Sequence, residues 1–173
     1  MGKRITIVLD DDLQKKLREK QAKKIIADNI YMTIASASLD GKPWVSPVFF
    51  AYDDSYNLYW VSDKNSRHSN LIRENKKVAV VIFNSKVPEG EGDGVYVDAQ
   101  AVELNDVREA KEAMSILSAR VTQEEFRIKK IGEVTEEGVW RIYKATPQSV
   151  SKLKEGEYAN GQYVDRRIEI NLR

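Results

Sequence analysis

Residues 41–83 read GKPWVSPVFFAYDDSYNLYWVSDKNSRHSNLIRENKKVAVVIF. Asp40-Gly41 is a hairpin-type turn, and the β-branched and aromatic residues of Trp44 to Tyr52 after it predict a strand. Asp53-Asp54-Ser55 makes a second turn, Tyr56 to Ser62 a third strand and Val78 to Phe83 a fourth, with a short helix over Ser69 to Glu74 between them. Upstream of the turn, Ile30 to Leu39 supplies the first strand of this meander.

Further out the same signals continue. Pro88 to Gly94 is polar and glycine-rich, a loop, and Val95 to Leu104 is a fifth strand. Asn105 or Asp106 can cap a helix whose apolar stripe is Ala110, Ala113, Met114 and Leu117. Thr122 and Glu125 have capping-box spacing at the head of another short helix. Val139 to Ala145 is a strand ending at Pro147, and Val164 to Leu172 alternates again. At the other end, Arg4 to Leu9 alternates as a strand, and Asp10-Asp11-Asp12 opens a helix from about Asp11 to Ala27, with acids at its positive end. Antiparallel strands in series with few helices predict a closed barrel or a sandwich with peripheral helices.

Composition narrows the chemistry. The chain has 173 residues, 28 Lys+Arg against 27 Asp+Glu, one His and no Cys. That length makes one domain with a sufficient core. Without cysteine there is no disulfide framework, thiolate metal cage or cysteine nucleophile, and a reducing cytoplasm is the expected compartment. No apolar run approaches the roughly 18 residues of a membrane span. A net charge of +1 provides no general attraction for a nucleic-acid backbone. Walker, Gly-x-Gly-x-x-Gly, His-Glu-x-x-His and Gly-x-Ser-x-Gly motifs are absent. No metal site is expected, and no side chain is assigned a catalytic role.

The stretch 62–72, Ser-Asp-Lys-Asn-Ser-Arg-His-Ser-Asn-Leu-Ile, lies between a strand end and a helix start, where free N–H groups and the helix dipole favour an anion. Ser66 and Ser69 hydroxyls, the Arg67 fork and the His68 ring make a clamp suited to a phosphate monoester. The plainer alternative is a helix cap at Ser66, a solvated Arg67 and a His68 that covers a helix turn.

The order of these parts, from Pro43-Trp44-Val45-Ser46-Pro47-Val48 through Leu58-Tyr59-Trp60-Val61-Ser62 and the Ser-Arg-His loop to Val78-Ala79-Val80-Val81-Ile82, resembles the FMN-binding split-barrel family, the superfamily of pyridoxamine 5′-phosphate oxidase. The resemblance covers roughly Ile30 to Leu104 and, more weakly, Trp140 to Pro147, which is similar to the family's last barrel strand. It implies a mainly β (α+β) fold, a six-stranded antiparallel split β-barrel with peripheral helices. It also implies FMN as cofactor and a homodimer. Ser66, Arg67 and His68 would meet the ribityl phosphate, Val61 and Ser62 would approach the flavin, and Val45, Ser46, Pro47 and Val48 would lie along the isoalloxazine.

Two departures bear on the reaction. The oxidases carry an Arg and a Lys on the strand that here offers Val45 and Phe50, and an Arg-x-His pair near the C-terminus, where Asp165 to Arg173 contains no His. His68 itself stands where the oxidases have a lysine, so charge there depends on pH near its ordinary pKa of about 6.5. The expected protein is therefore an FMN-binding flavoprotein, an oxidoreductase acting on a small molecule other than the vitamin. The alternatives are a non-catalytic flavin or haem binding or sensing protein, with His68 as the imidazole, and DNA binding by residues 3–17, which look like a ribbon-helix-helix opening. Its expected divisions are an N-terminal strand-helix extension (1–29), the flavin-binding barrel (30–147) and a C-terminal extension on the barrel or dimer partner (148–173).

Overall fold

The computed structural model describes residues 10–135, 138–159 and 161–173. The strand expected over Arg4 to Leu9, and with it the ribbon-helix-helix alternative, lies outside these residues. Helix α1 (Asp11–Asp28) is followed by β1 (Tyr31–Ala37), β2 (Pro43–Phe49), β3 (Ala51–Tyr52), β4 (Leu58–Asp63), α2 (Arg67–Glu74), β5 (Lys77–Phe83), β6 (Gly94–Glu103), α3 (Val107–Arg120), two 3₁₀ turns, β7 (Trp140–Ala159) and β8 (Gln162–Glu169). Asp106 caps α3 by accepting from the N–H groups of Arg108 and Glu109.

All strand pairs are antiparallel, in the order β2-β1-β5-β6-β7-β4-β3, with β8 added to β7. The two ends of that order are consecutive in the chain. At Phe50 the Pro43–Tyr52 stretch leaves β1 and pairs with β4, so the sheet curls until its edges meet. This curled α+β sheet is the expected split barrel, but among the described residues it has eight strands rather than six. The bend at Phe50 divides one expected strand into two, and β8 is the second addition. Pro43 and Pro47 are accommodated because β2 pairs through the sheet only with β1, which leaves its other edge without need of N–H donors.

Two further boundaries differ. β7 runs past Pro147, where the register against β6 shifts between Asp98 and Ala99, a bulge that absorbs the missing proline N–H. The capping box expected at Thr122 does not form. The turn over Glu124–Phe126 has Gln123 at its N-cap without a side-chain bond, which puts Thr122 and Glu125 one position out of capping-box register.

Period-2 alternation divides the apolar residues between two cores. Inside the barrel, Met32, Ile34, Phe50, Leu58, Trp60, Val80, Ile82 and Tyr143 pack together, closed at one end by Ala22 and Ile26 of α1 and by Ile170 and Leu172. Outside it, Ala51, Tyr59 and Ile142 pack under Ala113 and Leu117 of α3 and under Val134. No helix among the described residues is long and apolar enough to cross a membrane.

Candidate anion and cofactor site

The loop from β4 into α2 is held by its own short side chains. Asp63 Oδ1 accepts from Asn65 N at 2.7 Å, its carbonyl accepts from Ser66 N at 3.0 Å and from Ser69 Oγ at 2.8 Å. Ser66, in extended conformation, caps α2 by accepting from Ser69 N. The far end of the helix is tied to the sheet. Arg73 Nη1 donates to Glu103 Oε2 at 2.8 Å, and the same carboxylate takes Arg141 Nε at 3.3 Å and Tyr143 OH at 3.0 Å. Burial pushes the Tyr143 phenol up to about 12, so it remains a donor.

His68 is buried where three serines converge. Its Nδ1 lies 3.1 Å from Ser46 Oγ on β2, its Nε2 2.8 Å from Ser62 Oγ at the end of β4, and Ser66 Oγ stands 3.2 Å from Nε2. Trp44 Nε1 donates to Ser46 Oγ at 3.1 Å, which leaves the Ser46 proton for His68. Assigned on that basis, Nδ1 accepts, Nε2–H donates to Ser62, and the Ser62 proton is free for a ligand. Burial holds the imidazole below its ordinary pKa, which keeps it neutral at pH 7.

Arg67, the first residue of α2, is exposed, with its guanidinium carbon 4.4 Å from the centroid of the Trp44 ring. The cluster therefore holds a fixed cation, the free Ser62 hydroxyl proton, a neutral imidazole and a helix N-terminus, while the protons of Ser46, Ser66 and Ser69 go to His68, Ser69 and the Asp63 carbonyl. The Asp63 carboxylate of the same loop is turned to the Asn65 N–H, and the serine and histidine side chains bond to one another or to backbone. A recess with a cation at its mouth beside a helix N-terminus fits a phosphate group.

The residues singled out from sequence thus divide between the faces of the sheet. Ser46, Ser62, Ser66 and His68 come together on the inner side, with Arg67 at the mouth, while Val48 is buried in the barrel core. Val45 and Pro47 point outward and are exposed, and Val61 packs against the outer core under α3. Trp44, on β2, is partly exposed. The structure makes it the stacking partner of Arg67, a role signalled only by its lying two residues from Ser46 on the same strand face.

Residues 18–151 match the family model described as pyridoxamine 5′-phosphate oxidase. Among curated proteins no match is found. Solved structures share the fold. A putative 5-nitroimidazole antibiotic resistance protein from Bacteroides thetaiotaomicron is 16% identical with a TM-score of 0.63, over 77% of this chain and 81% of that one. The haem storage protein HutZ from Vibrio cholerae is 14% identical with a TM-score of 0.64, over 76% and 92%. A FAD-binding protein from Mesorhizobium loti is 23% identical with a TM-score of 0.57, over 77% and 91%.

Proposed function

Because the chain belongs to the pyridoxamine 5′-phosphate oxidase family, we propose that it is a flavoprotein that holds FMN in a homodimer and acts as an oxidoreductase on a small molecule. The observation that carries this reading is the convergence of Ser46, Ser62 and Ser66 on the buried His68 at the N-terminus of α2. These hydroxyls, with Arg67, would hold the ribityl phosphate. Val45, Pro47 and Val61 would offer the flat apolar contact for the ring, Pro47 through its side chain alone, since it has no N–H, while Val48, expected beside them, is turned into the barrel core. When bound, the flavin supplies the hydride or electron chemistry. The chain's own residues bind and orient it, and none of those around the cluster is placed as a strong base. Vitamin oxidation is not proposed, because Val45 and Phe50 occupy positions of the oxidases' cations.

A haem-binding role, suggested by the fold shared with a haem storage protein, is less well supported. Both nitrogens of the single histidine are within hydrogen-bond reach of serines, and an iron ligand would have to give one up. Incubation of the purified chain with FMN or with haemin separates the two readings. Bound flavin absorbance and a raised melting temperature with FMN are expected. A Soret shift lost in His68→Ala, without flavin uptake, would replace this reading with the haem one.

A further inference from the structure

On the outer face of the barrel, α3 and the segment after it stand over β2 and β4 and leave a groove of about 470 Å³. That volume is in the range of small-molecule sites, about 300–1,000 Å³. Its walls include Tyr31, Phe49, Phe126 and Trp140, and Leu117 and Val134 lie buried at its base. Tyr31 and Phe49 meet edge to face at 6.3 Å. The groove is continuous with the face proposed for the flavin, because Val61 lines it and Phe49 shares the outer side of β2 with Val45 and Pro47.

Its charges discriminate against anions. Glu125, Glu133 and Arg127 contribute to the lining, two acids to one base. Arg127 is already engaged, by Glu124 Oε2 at 3.2 Å and the Val121 carbonyl at 3.3 Å. Glu133 accepts from Lys130 N at 3.0 Å. A phosphorylated or carboxylated ligand would lose hydration here without gaining a free cation, whereas Ser118, Thr122 and Gln123 can hydrogen-bond a neutral polar group. We propose that this groove is the substrate site and that it takes an uncharged aromatic molecule of one or two rings, held between Phe126 and Trp140 and oriented by the polar groups of 118–123. This rests on the flavin reading for its role, but not for the binding itself.

Calorimetric titration of the FMN-loaded full chain with menadione, an uncharged two-ring probe, and with 1,2-naphthoquinone-4-sulfonate, its anionic counterpart, tests the assignment. Menadione should bind at least tenfold more tightly than the sulfonate. The pair of substitutions Phe126→Ala and Trp140→Ala should weaken menadione about tenfold with FMN affinity unchanged. Both side chains are largely exposed, at 70% and 51%, so the melting temperature should be retained. Equal binding of the sulfonate, an unaffected double variant, or a double variant that dissociates a dimer instead of losing the probe would overturn the proposal. FMN uptake without menadione binding would end the groove's role and leave the flavin reading intact. Menadione binding without FMN uptake would do the reverse.

Discussion

Arg67 combines a delocalised cation with an aromatic surface, since its guanidinium lies over Trp44 beside the Ser46–His68 contact. Stacking presets a side chain that would otherwise lose rotamer freedom on gripping an anion. Removing it in Arg67→Ala should weaken FMN binding at least tenfold, about 1.5–3 kcal/mol for a charge-assisted contact. Because the residue is exposed, urea stability should hardly change. Arg67→Lys should recover only part of the affinity, since an ammonium keeps the charge without the planar fork. His68 gives a separate, pH-dependent signature. Its folded pKa is depressed by burial, so the unfolded chain binds the proton more readily. The stability it contributes is fully present above about 6.5, its unfolded value, and is lost as pH falls through the lower folded value. Thermal melting between pH 7.5 and 5 should therefore show an acid-side loss that His68→Gln flattens. FMN should reduce the loss, because a phosphate dianion favours the imidazolium. An identical acid limb in His68→Gln would assign the loss to other groups. The Ser-Arg-His loop was legible in sequence because strand end, cap and helix start adjoin in the chain. The Arg67–Trp44 stack joins residues 23 positions apart and leaves no local trace.

At the scale of elements, the barrel closes through the bend at Phe50, and Arg120 holds that bend. From the last turn of α3 it donates to the Phe50 carbonyl at 3.3 Å, and to the carbonyls of Ala27 and Asn29, both at 2.9 Å. Its guanidinium also faces the rings of Phe50 and Tyr52, at 4.8 and 5.0 Å. One side chain thus satisfies orphan carbonyls at the end of α1 and joins that helix to the strand switch. Arg120→Met keeps the apolar stem and removes the donors. We expect a loss of about 2–4 kcal/mol in urea unfolding, since the two bonds at 2.9 Å are each worth about 1.5 kcal/mol at the lower end for charge-assisted contacts and the longer bond to Phe50 adds little, with the unliganded secondary structure preserved. A loss below about 0.5 kcal/mol would show that the bend is held by packing alone. Most strands were legible because their alternation is local. The break at Phe50 was not, because Phe49, Phe50 and Ala51 read as uninterrupted strand and only the competition between β1 and β4 for pairing divides them. The β7–β8 hairpin has a local signal in the sequence. Asn160-Gly161 is a strong two-residue turn sequence, and Gly161 has φ of 77°, a value that glycine adopts at no steric cost.

At the scale of the molecule, the outer surface of β2, β1 and β5 is apolar across three strands. Val45 pairs with Ala35 and Ala35 with Ala79, while Pro47 pairs with Thr33 and Thr33 with Val81. These rows bear no charge, and at their β2 edge Val45 is 56% exposed. An uncharged face shared by three strands is suited to cover by another protein surface. A second copy brought in by a two-fold axis would cover it with the same rows, and would place two proposed flavin faces at one interface. The proposed homodimer thus predicts that sedimentation will give twice the chain mass, and that Val45→Arg will shift it to the monomer, since two unpaired guanidinium groups would be buried near the axis. As Val45 contributes nothing to either core, circular dichroism and the monomer's unfolding midpoint should stay close to those of the parent chain. A second variant on the same face, Ala79→Arg, lies outside the proposed flavin contacts and separates two architectures of the cofactor site. If the phosphate cluster of one chain suffices, the monomer retains FMN with modestly weakened affinity. If the ring needs the partner's surface, flavin and dimer are lost together, and FMN titration should raise the dimer fraction of the parent chain by mass action. A parent chain that sediments as a monomer with FMN bound would remove the partner from the site altogether.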